Sequence, residues 1–306
     1  MGYVPLEHTW GATLEQLIGI RVLKCGVEGY GSRQERHKLE TVVAKAGQPR
    51  LVIIGYMVAN DLLDDYFYPN RTVIDGYMVT RITLADEIGG GRRVRSDDEL
   101  RAGLKSFREP KPPGFVGRAK DLLAAHSVIY DRLRNWTPFR HLAFRLGMAD
   151  PPRAIGGDAA FYPAEMFPWL EGAWGEHLTN LRQLKLAVEA VGAALVIVII
   201  PTDEQIYRFS RYEGDRIRLE YPNRRLAEFF RKEGIAFLDL IPEFRRHARH
   251  DPRPMLDARH DLYWPYDGHL NVKGNRLAGL VVAHFVLEHD FVSPNQQLKE
   301  FDVTEQ

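Results

Sequence analysis

Asp267 and His269 stand two residues apart in the stretch Trp264–Gly274, which reads W-P-Y-D-G-H-L-N-V-K-G. A carboxylate that orients an imidazole is the base half of a nucleophilic relay. The acid fixes the tautomer, and the ring takes a proton from an attacking hydroxyl. Pro265 and Gly268 hold the backbone in a turn, and Asn271 opens an apolar helix over Leu277–Leu287. A D-x-H turn is also the ordinary setting of a solvated acid, so the pair gains a chemical meaning only through partners elsewhere. Acyl transfer needs donors aimed at a developing oxyanion. Gly29, in a run with three glycines in six residues (Gly26, Gly29 and Gly31), can offer a backbone N–H at a tight or left-handed turn. Asn60 can offer a short, fixed side-chain amide. The plainer alternatives are a turn glycine and an Asn60-Asp61 helix cap.

These residues need a scaffold that brings distant loops together. Thr9 caps a short helix to Leu17, stopped at Gly19, and Arg33–Ala46 reads as a second helix. Leu51–Ile54 is an apolar run of strand length ending at Gly55, as expected of a strand buried on both faces. From residue 66 to about 172 the pattern changes. A strand pair over Tyr77–Leu84, a glycine-rich basic loop at Gly89–Arg95, helices over Ala119–Leu133 and Phe139–Leu146, and a link at Asp150–Pro163 read as an insertion, mostly helical. The alternation then resumes: helix Trp174–Val191, strand Ala194–Ile200, helix Asn223–Lys232, strand Ile235–Leu238. Helix and strand in alternation, with glycine stops, make a parallel doubly wound sheet. Ligands in such sheets lie beyond the carboxyl ends of the strands, where Gly29, Asn60, Pro201 and Asp239 fall.

The order G-x-x-G-Y-G-S, then strand-G-x-x-x-x-N-D, then D-G-H-L-N-x-x-G-N resembles the SGNH (GDSL-like) hydrolase superfamily. The likeness covers most of the chain, including Ile200–Tyr207 (I-P-T-D-E-Q-I-Y) and His126–Tyr130 in the insertion. It implies a flavodoxin-like, three-layer α/β/α sandwich forming a single α/β domain over residues 1–306, with the insertion at about 66–172. It also implies a Ser-His-Asp triad in which His269 is the general base, Asp267 orients it, and Gly29 and Asn60 are the oxyanion donors. No cofactor and no metal is required. The substrate implied is an oxygen ester, an acetyl or acyl group on a small molecule or carbohydrate. Polysaccharide O-acetyl transfer and glycan binding without catalysis are the alternatives.

The superfamily's nucleophile lies in a G-D-S block at the end of its first strand, and this chain contains no G-D-S. Gly2–Val4 and Thr9–Leu17 resemble the segment downstream of that block, so the expectation is a misplaced start or a fragment lacking the first strand. Ser32 sits in the second motif, Ser127 in the insertion, and Ser106 and Ser210 have no motif around them. Asp257 and His260 also join an acid to an imidazole, at the D-x-x-H spacing that SGNH proteins commonly show, but without the Asn, the Gly and the apolar helix found after His269. His247, His250 and His260 with Asp251 and Asp257 form a candidate metal set, opposed by the arginines among them. Arg92, Arg93 and Arg95 are a candidate anion site or a solvated loop. Trp136, Trp169, Trp174, Tyr162 and Tyr207 are a candidate sugar-stacking face or core.

Composition narrows the function classes. Forty-one basic residues balance forty-one acidic ones, which argues against a nucleic-acid or acidic-membrane footprint. Cys25 is the single cysteine, so no disulfide closes within the chain. The longest apolar run, Ala193–Ile200, is too short to span a bilayer. Met1–Trp10 does not read as a secretory signal, and localisation stays open.

Overall fold

A computed structural model describes residues 4–27, 29–43, 45, 47–83, 87, 93–108, 159–207, 218–248, 261–264 and 268–293. Its centre is a parallel sheet of three strands: β1 (Leu51–Met57), β4 (Ala194–Ile200) and β5 (Ala236–Asp239), with β4 in the middle. β4 is an unbroken apolar run, mostly β-branched, whose five inner residues are buried, which is the pattern of a strand covered on both faces. The expected strand Leu51–Ile54 continues past Gly55 to Met57, because that glycine lies in register with Val198 rather than in a turn. Glycine is suited there. A Cβ on Gly55 would meet Ile200 at 3.2 Å and the Trp10 ring at 3.4 Å.

Helices cover both faces. On one side, Ile54, Tyr56, Leu195, Ile197 and Ile199 pack with Leu181 and Leu184 of a long helix and with Leu226 and Phe230 of another. On the other, Val196 and Val198 pack with Leu14, Phe244, Leu277 and Val282. The helices of interest are α1 (Trp10–Ile18), α2 (Ser32–Lys38), α3 (Asp61–Phe67), α4 (Asp97–Arg108), α5 (Pro168–Ala190), α6 (Asp203–Tyr207), α7 (Tyr221–Glu233), α8 (Ile241–His247) and α9 (Val272–Glu288). Local chemistry sets their ends. The Thr9 hydroxyl accepts from Ala12 N–H, and Gly19 and Gly234 terminate α1 and α7 in the left-handed conformation. α2 is shorter than the helix expected to reach Ala46; it gives way to a π-helical turn over Leu39–Val43. α5 begins six residues before the expected Trp174, with Pro168 in its first turn.

The insertion expected at 66–172 is described in part. It opens with an antiparallel hairpin, β2 (Arg71–Ile74) and β3 (Tyr77–Thr80). The hairpin turns on Asp75 and Gly76, both at positive φ (51° and 83°), which is the two-residue Asp-Gly turn matched to strand twist. α4 comes next, started by a reciprocal capping box in which Ser96 and Glu99 each accept the other's backbone N–H. The helices expected over Ala119–Leu133 and Phe139–Leu146 lie outside the described residues.

Candidate functional site

A cleft of about 1700 Å³ runs along the edge of β1 that faces away from β4. Among the described residues, no strand pairs with that edge. Gly29, Asn60 and His269, drawn from three separated segments, all line this cleft. Asp267 lies outside the described residues, as do Asp257, His260, His250 and Asp251.

His269 is held by the motif around it. Asn271 accepts the Gly274 N–H at 3.0 Å, starting α9. Its amide reaches back to the carbonyls of Asp261 (3.0 Å) and Tyr263 (3.3 Å). The Trp264 N–H donates to the His269 carbonyl at 2.8 Å, and Tyr263 bridges Leu270, so His269 sits in a short antiparallel loop. A Cβ on Gly274 would lie 2.1 Å from the Leu262 carbonyl oxygen, which is why only glycine lets the helix start against that loop. Asn275 donates to the Leu270 and Asn271 carbonyls, and its oxygen accepts the Trp10 N–H at 3.2 Å. Each polar residue of N-x-x-G-N therefore serves to place the imidazole.

Gly29 has φ 72°, the left-handed turn expected from its glycine-rich run. Gly31 is needed for a different reason. A Cβ there would come within 2.6 Å of the Asp65 carboxylate and 3.0 Å of the Asp61 carbonyl. The loop is thus pressed against α3, the helix that begins just after Asn60. Asn60 occupies the N-cap position of α3 without making a side-chain cap. Its amide instead donates to Asp64 at 3.0 Å, while its buried side-chain oxygen meets no partner among the described residues. One amide hydrogen is spent in this way and one remains. The capping alternative belongs to neither residue: the Asp61 carboxylate accepts Met57 N–H at 3.1 Å.

Acidic groups concentrate at this end of the cleft. Burial, and after it the charge of Asp65, pushes the Glu35 carboxyl up to about 8. Burial, then Glu35, pushes Asp61 well above the usual carboxylate range. Asp203 also lines the cleft, 3.5 Å from where a Cβ on Gly268 would sit. It is therefore a carboxylate beside the His269 loop that sequence reasoning passed over. Its signal was present in the I-P-T-D order just past β4, the strand with the strongest apolar run.

Ser32, the serine nearest the oxyanion glycine in sequence, is 2% exposed and donates its hydroxyl to Asp65. Asp65 also accepts Arg33 N–H at 3.0 Å and lies 2.7 Å from His177 Nδ1. Burial would raise the Asp65 carboxyl, but the His177 hydrogen bond and charge, Ser32 and Arg33 N–H outweigh it and hold it below its usual value. The order is Ser–Asp–His, with the acid in the middle, so the imidazole is not placed to take the serine proton. This buried set joins α2, α3 and α5. Ser293 lines the cleft as well, but it lies past α9 at the end opposite His269. Seventeen helical residues put roughly 25 Å between the two ends. Ser106 lies on α4, away from the cleft lining; Ser127 and Ser210 lie outside the described residues.

Trp174 and Tyr162 are core residues, at 0% and 6% exposure. Arg93 pairs with Glu99 on α4; Arg92 lies outside the described residues. Among the described residues no cluster of three metal-ligating side chains occurs, and no helix is long and apolar enough to cross a membrane. Comparison with protein-family models, with curated proteins and with solved structures returned no match in any of the three.

Proposed function

We propose that the chain is a hydrolase of the SGNH type, flavodoxin-like in organisation, acting on oxygen esters. One observation carries this reading: Gly29, Asn60 and His269, far apart in sequence, line one cleft along the open edge of β1, and Asn60 lies just past the carboxyl end of that strand. In this reading His269 is the general base, Asp267 orients it, and the Gly29 N–H and the unspent Asn60 hydrogen receive the oxyanion. In this reading the attacking serine is supplied by a strand laid along the open edge of β1, which at seven residues is about 23 Å long. A parallel partner would also satisfy the backbone groups along the open edge of β1. The serine would attack the ester carbonyl, His269 would take its proton, and the imidazolium would return it to the leaving alcohol. Transfer to a sugar hydroxyl instead of water uses the same groups, and assays of acetate release against glycan acetylation separate the two outcomes.

The test is p-nitrophenyl acetate hydrolysis by the chain alone and by a longer chain bearing an N-terminal strand that ends in serine. The longer chain is expected to hydrolyse the ester, and His269→Ala in it to lose about a thousandfold or more. A folded longer chain without activity, or activity indifferent to His269→Ala, overturns the reading. The folded, inert outcome with retained glycan binding would instead favour a non-catalytic binding protein.

A further inference from the structure

α2 and α5 enclose a second, smaller depression of about 510 Å³, lined by Arg33 and Arg36 from one helix and by Glu176, Asn180 and Gln183 from the other. It is rich in unspent donors. Asn180 is 6% exposed, and its amide nitrogen is buried without a hydrogen-bond partner among the described residues. The Nε groups of Arg33 and Arg36 are likewise buried with no hydrogen bond among the described residues. Two of the acceptors nearby each receive a hydrogen bond from the protein itself. Gln183 Oε1 receives Arg36 Nη1 at 2.5 Å, and the Gly175 carbonyl receives the Thr179 hydroxyl at 2.8 Å. Two carboxylates stand near the arginines, both outside hydrogen-bond length: Glu176, 49% exposed, is 3.6 Å from Arg33 Nη2, and Glu40 is 3.8 Å from Arg36 Nε. Buried N–H groups left unpaired are costly, and guanidinium groups pair best with oxyanions.

We propose that this depression between α2 and α5 binds a phosphate group, with Arg33, Arg36 and the Asn180 amide as its donors. Three donor side chains on two helices suit a tetrahedral anion, whose several oxygens can accept from different directions, better than a planar one.

The experiment is equilibrium dialysis of the full chain against labelled inorganic phosphate at constant ionic strength. The expected result is one saturable site, weakened at least about tenfold in the Arg33→Gln, Arg36→Gln double variant. Gly175→Glu is the second variant, because a Cβ at Gly175 meets nothing within 4 Å and an added carboxylate there occupies the site. It is likewise expected to weaken binding at least about tenfold while leaving the circular dichroism unchanged. Competition by glycerol 3-phosphate stronger than by inorganic phosphate assigns an esterified phosphate, and the reverse assigns the free ion; both support the site. Absence of saturable binding, unchanged binding in a folded variant, or acetate competing as well as phosphate overturns it.

Discussion

Replacing Asn271 by alanine tests how the His269 loop is held. The side chain makes three hydrogen bonds: it caps α9 through Gly274 N–H at 3.0 Å and ties down the Asp261 and Tyr263 carbonyls at 3.0 and 3.3 Å. Loss of an N-cap costs about 1 kcal/mol. The two donor bonds contribute roughly another 1–2 kcal/mol together, the longer one less. Asn271→Ala should therefore destabilise the chain by about 2–3 kcal/mol. At an unfolding entropy near about 2.1 cal/mol/K per residue, that lowers the midpoint by roughly 3–5 °C for a chain of this length. Asn271→Ser keeps a capping oxygen and should recover about 1 kcal/mol of the loss. Urea unfolding measures the totals. Hydrogen exchange locates them: the Trp264 and Asn271 amides, bonded to the His269 and Leu262 carbonyls, should exchange roughly 30–150-fold faster in the alanine variant. An alanine variant within about 0.5 kcal/mol of the parent, or a serine variant no better than alanine, refutes the account of this loop.

Two further perturbations probe the contact of the Gly29–Gly31 loop and α2 with α3. Gly31→Ala should cost about 2 kcal/mol or more, because the new methyl meets the backbone and carboxylate of α3, and a parent-like urea midpoint would sink the close-contact argument. Glu35 stays protonated in the fold up to about pH 8, whereas in the unfolded chain it ionises near 4.5. The unfolded state therefore holds fewer protons in that window, and stability falls as pH rises through it before levelling off above about 8. Glu35→Gln removes this contribution, so the variant should gain on the parent between about pH 5 and pH 9; equal pH slopes in urea unfolding would count against it.

Strands and helices with a single strong signal were legible in the sequence. β4 matched its apolar run residue for residue, and α1 ran from its Thr9 cap to its Gly19 stop with one residue more than expected. The left-handed turn at Gly29 was readable from glycine spacing alone. Signals that depend on two residues acting together were missed: the Asp75-Gly76 hairpin turn and the Ser96/Glu99 capping box of α4. The strand read as buried on both faces is packed on both, yet only Ile54 and Tyr56 of β1 are buried, since the rest depends on what lies along its open edge, and apolar content does not encode that. Asp65–His177 could not be read from sequence at all, being 112 residues apart and joined only by the packing of α5 on α3. Gly29, Asn60 and His269 were singled out because each sits where a loop leaves its strand or enters its helix, and all three line one cleft.

Asn275 has one side-chain oxygen, and it accepts the first backbone N–H of α1, while its nitrogen holds the turn that presents His269. Beside it, Gly279 lets α9 approach so closely that a methyl there would strike Thr13. The amino-terminal helix and the imidazole loop are therefore one cooperative unit that should open together. Any sequence change that loosens the docking of the first helix will be felt at the ring, whether or not it touches the cleft.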